Sequence, residues 1–129
     1  MVIPNSVMNI DYEAFYCCHS LTSVLIGDGV KNIGKDAFYG CYNLNSIVLG
    51  NGVTSIGGYA FYDCDSLTSV VIPDSVTSIG DRVIQECSSL TSVVFNGTVA
   101  QWNAIEKDDD WNYEVPATEV VCRDGVVAL

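Results

Sequence analysis

Apolar residues return to the same phase every 23 positions between residues 2 and 95. Phe15, Phe38, Phe61 and Ile84 share one column, Cys18, Cys41, Cys64 and Cys87 a second, and Leu21, Leu44, Leu67 and Leu90 a third. Val7/Val30/Val53/Val76 and Ile10/Ile33/Ile56/Ile79 complete the pattern. A fixed period of this size marks a solenoid, whose coils stack to bury a shared apolar core.

Leu21 to Asn43 serves as the unit. Ser23 to Ile26 is aliphatic and β-branched and ends at Gly27-Asp28-Gly29, which predicts a short strand followed by a turn. Alternation directs Val24 and Ile26 inward and Ser23 and Leu25 outward. Val30 to Ile33 suits a second extended segment. Lys35 to Cys41 is predicted as a single helical turn, because Phe38 and Cys41 are three apart and would share one face. The inward set is then Val30, Ile33, Ala37, Phe38, Cys41, Leu44, Ile47 and Leu49. Burying each large apolar side chain is worth roughly 1.5–3 kcal/mol, and a lone coil has nothing to bury it against.

The repeat, Leu-x-x-Val/Ile-x-Ile/Leu-Pro/Gly-x-x-Val-x-x-Ile-Gly-x-x-Ala-Phe-x-x-Cys, resembles the BspA-like leucine-rich repeats of bacterial surface proteins. The resemblance spans residues 2 to 95; the fourth coil departs from it, with Val83-Ile84 in place of Ala-Phe. It implies an α/β solenoid: a right-handed stack of about four coils with parallel strands and single-turn helices. It also implies a non-enzymatic adhesion or protein-binding role at the cell surface or in secreted form, with host, matrix or bacterial proteins as partners. No binding residue is implied, since the motif consists of structural positions.

After Phe95 the period breaks. Thr98-x-x-Gln101 fits a helix N-cap with its reciprocal partner, Trp102 and Ile105 follow at helical spacing, and Thr118–Cys122 and Val126–Leu129 read as a strand pair. Residues 96–129 resemble the closing unit that follows these repeats. Within one structural domain, 1–95 are thus the repeats and 96–129 a cap that places Trp102 and Trp111 over the end of the core. At the other end, Val2-Ile3-Pro4 matches the middle of a unit, such as Val71-Ile72-Pro73. That predicts an incomplete first coil, a piece of a longer array, whose open end could pair with a second copy.

Charge narrows the partners. Nine acids and three bases precede Asn96, and seven acids and two bases follow, for a net −11. Neither nucleic acid nor an anionic membrane suits such a surface. No run of apolar residues is long enough to span a bilayer.

Candidate chemistry is sparse. The cysteine column reads as a ladder of buried free thiols, and without a Cys-x-x-Cys pair no zinc site is expected. Cys17 and Cys122 stay open as to oxidation. His19 aligns with Tyr42, Asp65 and Ser88, a solvent column, so no catalytic base is assigned. Glu106 and Asp108–Asp110 read as a solvated loop rather than a Ca²⁺ site. Asn96-Gly97-Thr98 fits the glycosylation triplet, but turn and cap already explain it. No cofactor is expected. What remains is the outer face of the main sheet: Leu25, Val48, Val71 and Val94 in one row, with Ser23, Ser46, Ser69 and Ser92 beside it. Such a row suits protein binding. The rival reading is a spacer whose β-branched ladder only holds the strands together.

Overall fold

Short β-branched runs cut by Gly, Pro and Asn turns cannot grow long strands, so each coil bends several times and pairs with its neighbours instead. A computed structural model describes residues 1–129. The elements are β1 (Val2–Ile3), β2 (Asn9–Ile10), β3 (Ser23–Ile26), β4 (Asn32–Ile33), β5 (Ser46–Val48), β6 (Ser55–Ile56) and β7 (Ser69–Ile72). They continue with β8 (Ser78–Ile79), β9 (Ser92–Phe95), helix α1 (Val99–Ala104), β10 (Glu106–Lys107), β11 (Glu119–Val121) and β12 (Val126–Ala128). On the main side β1, β3 and β5 pair in parallel, as do β7, β9 and β11, with β12 added antiparallel. The second side is a parallel sheet in the order β10, β8, β6, β4, β2. Register steps by one period: Ser23 faces Ser46, Ser69 faces Ser92, and Ile33 faces Ile56.

The stack makes about five turns rather than four. Residues 1–3 already form a main-side rung, while β10 and β11 add rungs after the period has broken. The main ladder is interrupted between β5 and β7. Gly27 donates to Ile3 O and Asn96 to Ile72 O, both at 2.9 Å, but Pro73 at the equivalent place has no N–H to give.

The third side corrects the expected helical turn. Lys35–Cys41 is a run of β-turns, in which Ala37, Tyr39 and Cys41 donate to Gly34, Asp36 and Phe38 carbonyls three residues back, each at 3.2 Å. The intervening N–H groups reach the next coil instead: Asp36 to Gly58 O, Phe38 to Ala60 O and Gly40 to Tyr62 O, at 2.8–3.1 Å. A helix would point every N–H along its own axis and leave the neighbouring coil unbonded. The alternation needs left-handed backbone twice per coil, at Glu13 and Cys17, Asp36 and Gly40, Tyr59 and Asp63, Arg82 and Glu86. Only one of these eight positions is a glycine.

Inside, Phe38 and Phe61 are buried and stacked 5.5 Å apart, and Phe15 stacks on Phe38 at 5.2 Å. Each inner thiol donates to the preceding coil: Cys41 to Phe15 O (3.2 Å), Cys64 to Phe38 O (3.4 Å) and Cys87 to Phe61 O (3.0 Å). At the C-terminal end Trp102 packs on Phe95 at 5.3 Å and on Trp111 at 5.4 Å, and all three rings are buried. In the first coil Phe15, Cys18 and Leu21 are only half-buried. Segment 96–129 is continuous with the stack, since it carries both the tryptophans and the last rungs. Coil spacing leaves no room for side chains at some corners: a Cβ on Gly50 would sit 2.4 Å from Gly27 O.

Left-handed backbone costs a residue with a Cβ about 1–2 kcal/mol, a penalty that glycine escapes. Glu86→Gly, at φ 63 with an exposed side chain, is therefore expected to raise the unfolding free energy by on the order of 1 kcal/mol, read as a higher urea midpoint. Gly40→Ala in the same column should lower it, since its Cβ would meet Cys17 Sγ at 2.9 Å. Equal midpoints for all three proteins would refute this account of the turns.

Candidate protein-binding face and tyrosine ladder

Because strand side chains alternate, every main-side rung that buries a Val or Ile also turns one aliphatic outward. Leu25, Val48 and Val71 are 47%, 53% and 41% exposed. Val94 departs from the expected exposed row: it is half-buried, flanked by Val71 and Val121 on paired strands. The row is longer than the repeat indicated. Val2 pairs with Leu25 and Val121 with Val94, and both are exposed, as is Val126 beyond Val121. Val2 keeps the 23-residue spacing and was readable in the sequence; Val121 lies four residues out of phase and was not. Ser23, Ser46, Ser69 and Ser92 are all exposed alongside.

No ionisable side chain lies in Thr22–Leu25, Asn45–Val48, Thr68–Val71 or Thr91–Val94. On one border, Asn5, Asp28, Asn51 and Asp74 form a column. Asp28 N–H donates to Asn5 Oδ1 and Asn51 N–H to Asp28 Oδ1, both at 2.9 Å.

The charges collect on the turn side, which holds a feature the sequence reading missed. Tyr16, Tyr39 and Tyr62 stack at 4.9 and 4.7 Å, and His19 stacks on Tyr42 at 4.5 Å. The signal was there, in tyrosines one period apart. Asp63 stands beside this ladder with Asp65 and Glu86. Burial, together with the hydrogen bond and charge of Asp65 and the charge of Glu86, pushes its carboxyl up to about 6.

The largest concavity, about 650 Å³, runs along the second sheet past Asn32, Ser55, Ser78, Glu106 and Asp108. Its polar groups serve one another: Asn32 Nδ2 donates to Asn9 Oδ1 (2.8 Å) and Ser55 Oγ to Asn32 Oδ1 (2.7 Å). Ser55 thus meets an amide rather than a base that could activate it. Lys107 points the other way, donating to Trp102 O (2.8 Å) and Ile105 O (3.1 Å) while lying 4.8 Å over the Trp102 ring. It caps the end of α1 and covers the last of the core; burial lowers its pKa.

The expected solvated acidic loop is partly tied down. Glu106–Lys107 is a strand, and Asp110 accepts from Arg82 Nε at 3.1 Å, with Arg82 lying 5.3 Å over Tyr113. At the start of α1, Gln101 N–H donates to Thr98 Oγ1 and Thr98 N–H to Gln101 Oε1. Cys122 is buried as a free thiol, and Cys17 is half-buried. Burial pushes the Cys41 thiol up to about 11; the Cys87 thiol beside Cys64, and then burial, raise that one too.

Parallel rungs in register, a phenylalanine ladder and a capped end define a leucine-rich-repeat solenoid. The chain belongs to the BspA type leucine rich repeat region family, matched in six copies over residues 1–105. A leucine rich repeat protein of T. pallidum is 34% identical with a TM-score of 0.74, over 83% of this chain and 50% of its own. A leucine rich cell surface protein from Faecalibacterium prausnitzii is 31% identical with a TM-score of 0.56, over 84% and 35%. The pneumococcal vaccine antigen PcpA shares the fold at 20% identity and a TM-score of 0.78, over 96% and 30%. The chain thus spans half or less of the length of these structures. No curated relative matches the sequence. No helix is long and apolar enough to cross a membrane.

Two outcomes follow. In native protein, a thiol reagent should modify Cys17 first and leave Cys41, Cys64 and Cys87 unreacted until unfolding; rapid loss of all six thiols would contradict the ladder. For Asp63, the folded pKa of about 6 lies above the ordinary 3.8, so the native state binds more protons than the unfolded state between those values. Its contribution to stability therefore increases as pH falls from about 6 towards 3.8. Asp63→Asn should remove that increment, seen as a narrowing gap between variant and wild-type urea midpoints over this window.

Proposed function

We propose that the chain is a non-enzymatic protein-binding module of a bacterial surface or secreted protein, engaging partners through the outer face of the main sheet. The carrying observation is an aliphatic row from Val2 to Val121 that is edged by serines and free of charge from β3 to β9, before Glu119 enters beside Ser92, on a chain of net −11. An acidic protein that leaves one flat face uncharged and apolar keeps that face cheap to desolvate. The surface placement draws on the family and on the cell-surface description of the Faecalibacterium relative. Binding through this face should depend little on ionic strength, unlike binding through the acidic turn side.

The test compares wild type with Leu25→Ser/Val48→Ser/Val71→Ser on beads, measuring retention on cultured host cells, matrix protein films and other bacteria. All three side chains are exposed, so the variant should keep its circular dichroism spectrum and its melting temperature within a few degrees. Retention is expected to fall at least tenfold. Equal retention by a folded variant would leave the face as a ladder within a spacer.

A further inference from the structure

The turn side carries an arrangement that the main sheet does not need, and we propose that it docks an arginine- or lysine-bearing segment of a partner protein. This goes beyond the main-sheet reading and does not rest on it. The seat is the corner where the aromatic columns give way to Asp63, Asp65 and Glu86.

Two aromatic columns run side by side along the turns. Tyr16, Tyr39 and Tyr62 stack at 4.9 and 4.7 Å, and Tyr42 stacks on His19 at 4.5 Å. Neither column reaches the fourth coil. One period after Tyr42 stands Asp65, so the second face of this 40%-exposed residue's ring looks toward a carboxylate instead of another ring. A cation laid there meets a π face on one side and a carboxylate on the other. One period after Tyr62 stands Gln85, which is 6% exposed and whose Oε1 receives no hydrogen bond. Asp63 N–H donates to Gln85 O at 2.9 Å, and Glu86 follows in the chain. The unanswered amide oxygen and the three carboxylates thus share one corner of the solenoid. A buried acceptor without a donor is unfavourable, and a guanidinium brings five N–H donors.

The chain's own cations are engaged elsewhere. Arg82 pairs with Asp81 and Asp110 and lies over Tyr113, and Arg123 is nearest Asp74. Lys35, the other cation of the turn side, lies 5.9 Å over the Tyr59 ring. Asp63, Asp65 and Glu86 are left to repel one another. Burial, then the hydrogen bond and charge of Asp65 and the charge of Glu86, hold the Asp63 carboxyl above its ordinary range, and an arriving cation relieves that repulsion. No three ligating side chains converge as a metal ion requires, so the fitting cation is an extended one carried on a side chain. The aromatic surface favours guanidinium, which is planar and weakly hydrated. A net charge of −11 draws basic segments towards the whole molecule, and here aromatic surface and unpaired carboxylates coincide to hold one.

The experiment titrates the intact chain into a fluorescein-labelled (Arg-Gly-Ser)₄ peptide, read by polarisation, with ¹⁵N spectra of the complex. Expected are binding in ~20 mM NaCl that weakens at least tenfold by ~0.2 M, and amide shifts centred on Tyr39–Tyr42, Tyr62–Asp65 and Gln85–Glu86. Asp65→Asn/Glu86→Gln should weaken binding at least tenfold and Tyr42→Leu at least threefold, each folded by circular dichroism. Asp28→Asn/Asp74→Asn removes the same charge from the main-sheet border and should weaken it less than twofold. No binding at low salt, equal losses from the two charge-matched variants, an unchanged affinity in Tyr42→Leu, or shifts centred elsewhere would each overturn the inference. The Leu25→Ser/Val48→Ser/Val71→Ser protein should bind the peptide as wild type does. If wild type ignores the peptide while that variant loses retention on foreign surfaces, this inference falls and the main-sheet reading stands.

Discussion

The structure depends on backbone hydrogen bonds that run from coil to coil, not along the chain. On all three sides of the solenoid, N–H groups reach carbonyls about one period away. Gly27 reaches Ile3 on the main side, Gly34 reaches Ile10 on the second, and Phe38 reaches Ala60 on the turn side. A coil alone satisfies only its tight turns and would leave the rest of its buried polar backbone unpaired. The side-chain columns follow from this ladder. Once successive coils are held in register, Phe must stack on Phe, each thiol must find the carbonyl beneath it, and outward residues must line up whether or not they bind anything.

This constraint explains what could be read from the sequence. Columns of Phe, Cys, Leu and Ile are visible because burial acts on each coil alike, and the inner and outer residues of β3 follow from simple alternation. The turn side was misread because Phe38 and Cys41 sit at helical spacing in a segment that is not helical. Periodicity reports which residues face inward, and two different backbones can deliver that same pair. The left-handed positions were partly signalled by Gly40 and by Asp36 and Asp63, residues that tolerate such backbone, but Tyr59, Arg82 and Glu86 hide the pattern.

The ends were harder to read, for a related reason. Past Phe95 the chain still adds rungs but no longer keeps its period, so Val121 joins the outer row without announcing itself. Lys107 sits where each coil before it carries an isoleucine. A charged residue in a core column looks like a departure from the repeat until the carbonyls of Trp102 and Ile105 are seen to take its ammonium. Terminal coils of a solenoid must differ from internal ones, since one of their faces meets something other than another coil.

The distribution of charge then separates the sides by task. The ladder makes every outward column repetitive, so an acid placed in a column tends to stand near another acid one coil away. Asp63, crowded by Asp65 and Glu86, is the cost of that arrangement on the turn side. The same repetition would be far worse on the main sheet, where outward residues on adjacent strands lie about 5 Å apart and like charges directly opposite destabilise pairing. A main face uncharged from β3 to β9, before Glu119 enters on β11, is thus what strand stacking favours in a tight solenoid. Its hydroxyls and β-branched side chains fit stacking as well as recognition. Stacking alone, however, does not require the row to stay aliphatic from Val2 to Val121, since threonine would pair as well and leave less apolar surface in water. The persistence of valine and leucine along that row is therefore the part of the face that stacking leaves unexplained, and the part on which the proposed protein-binding reading rests.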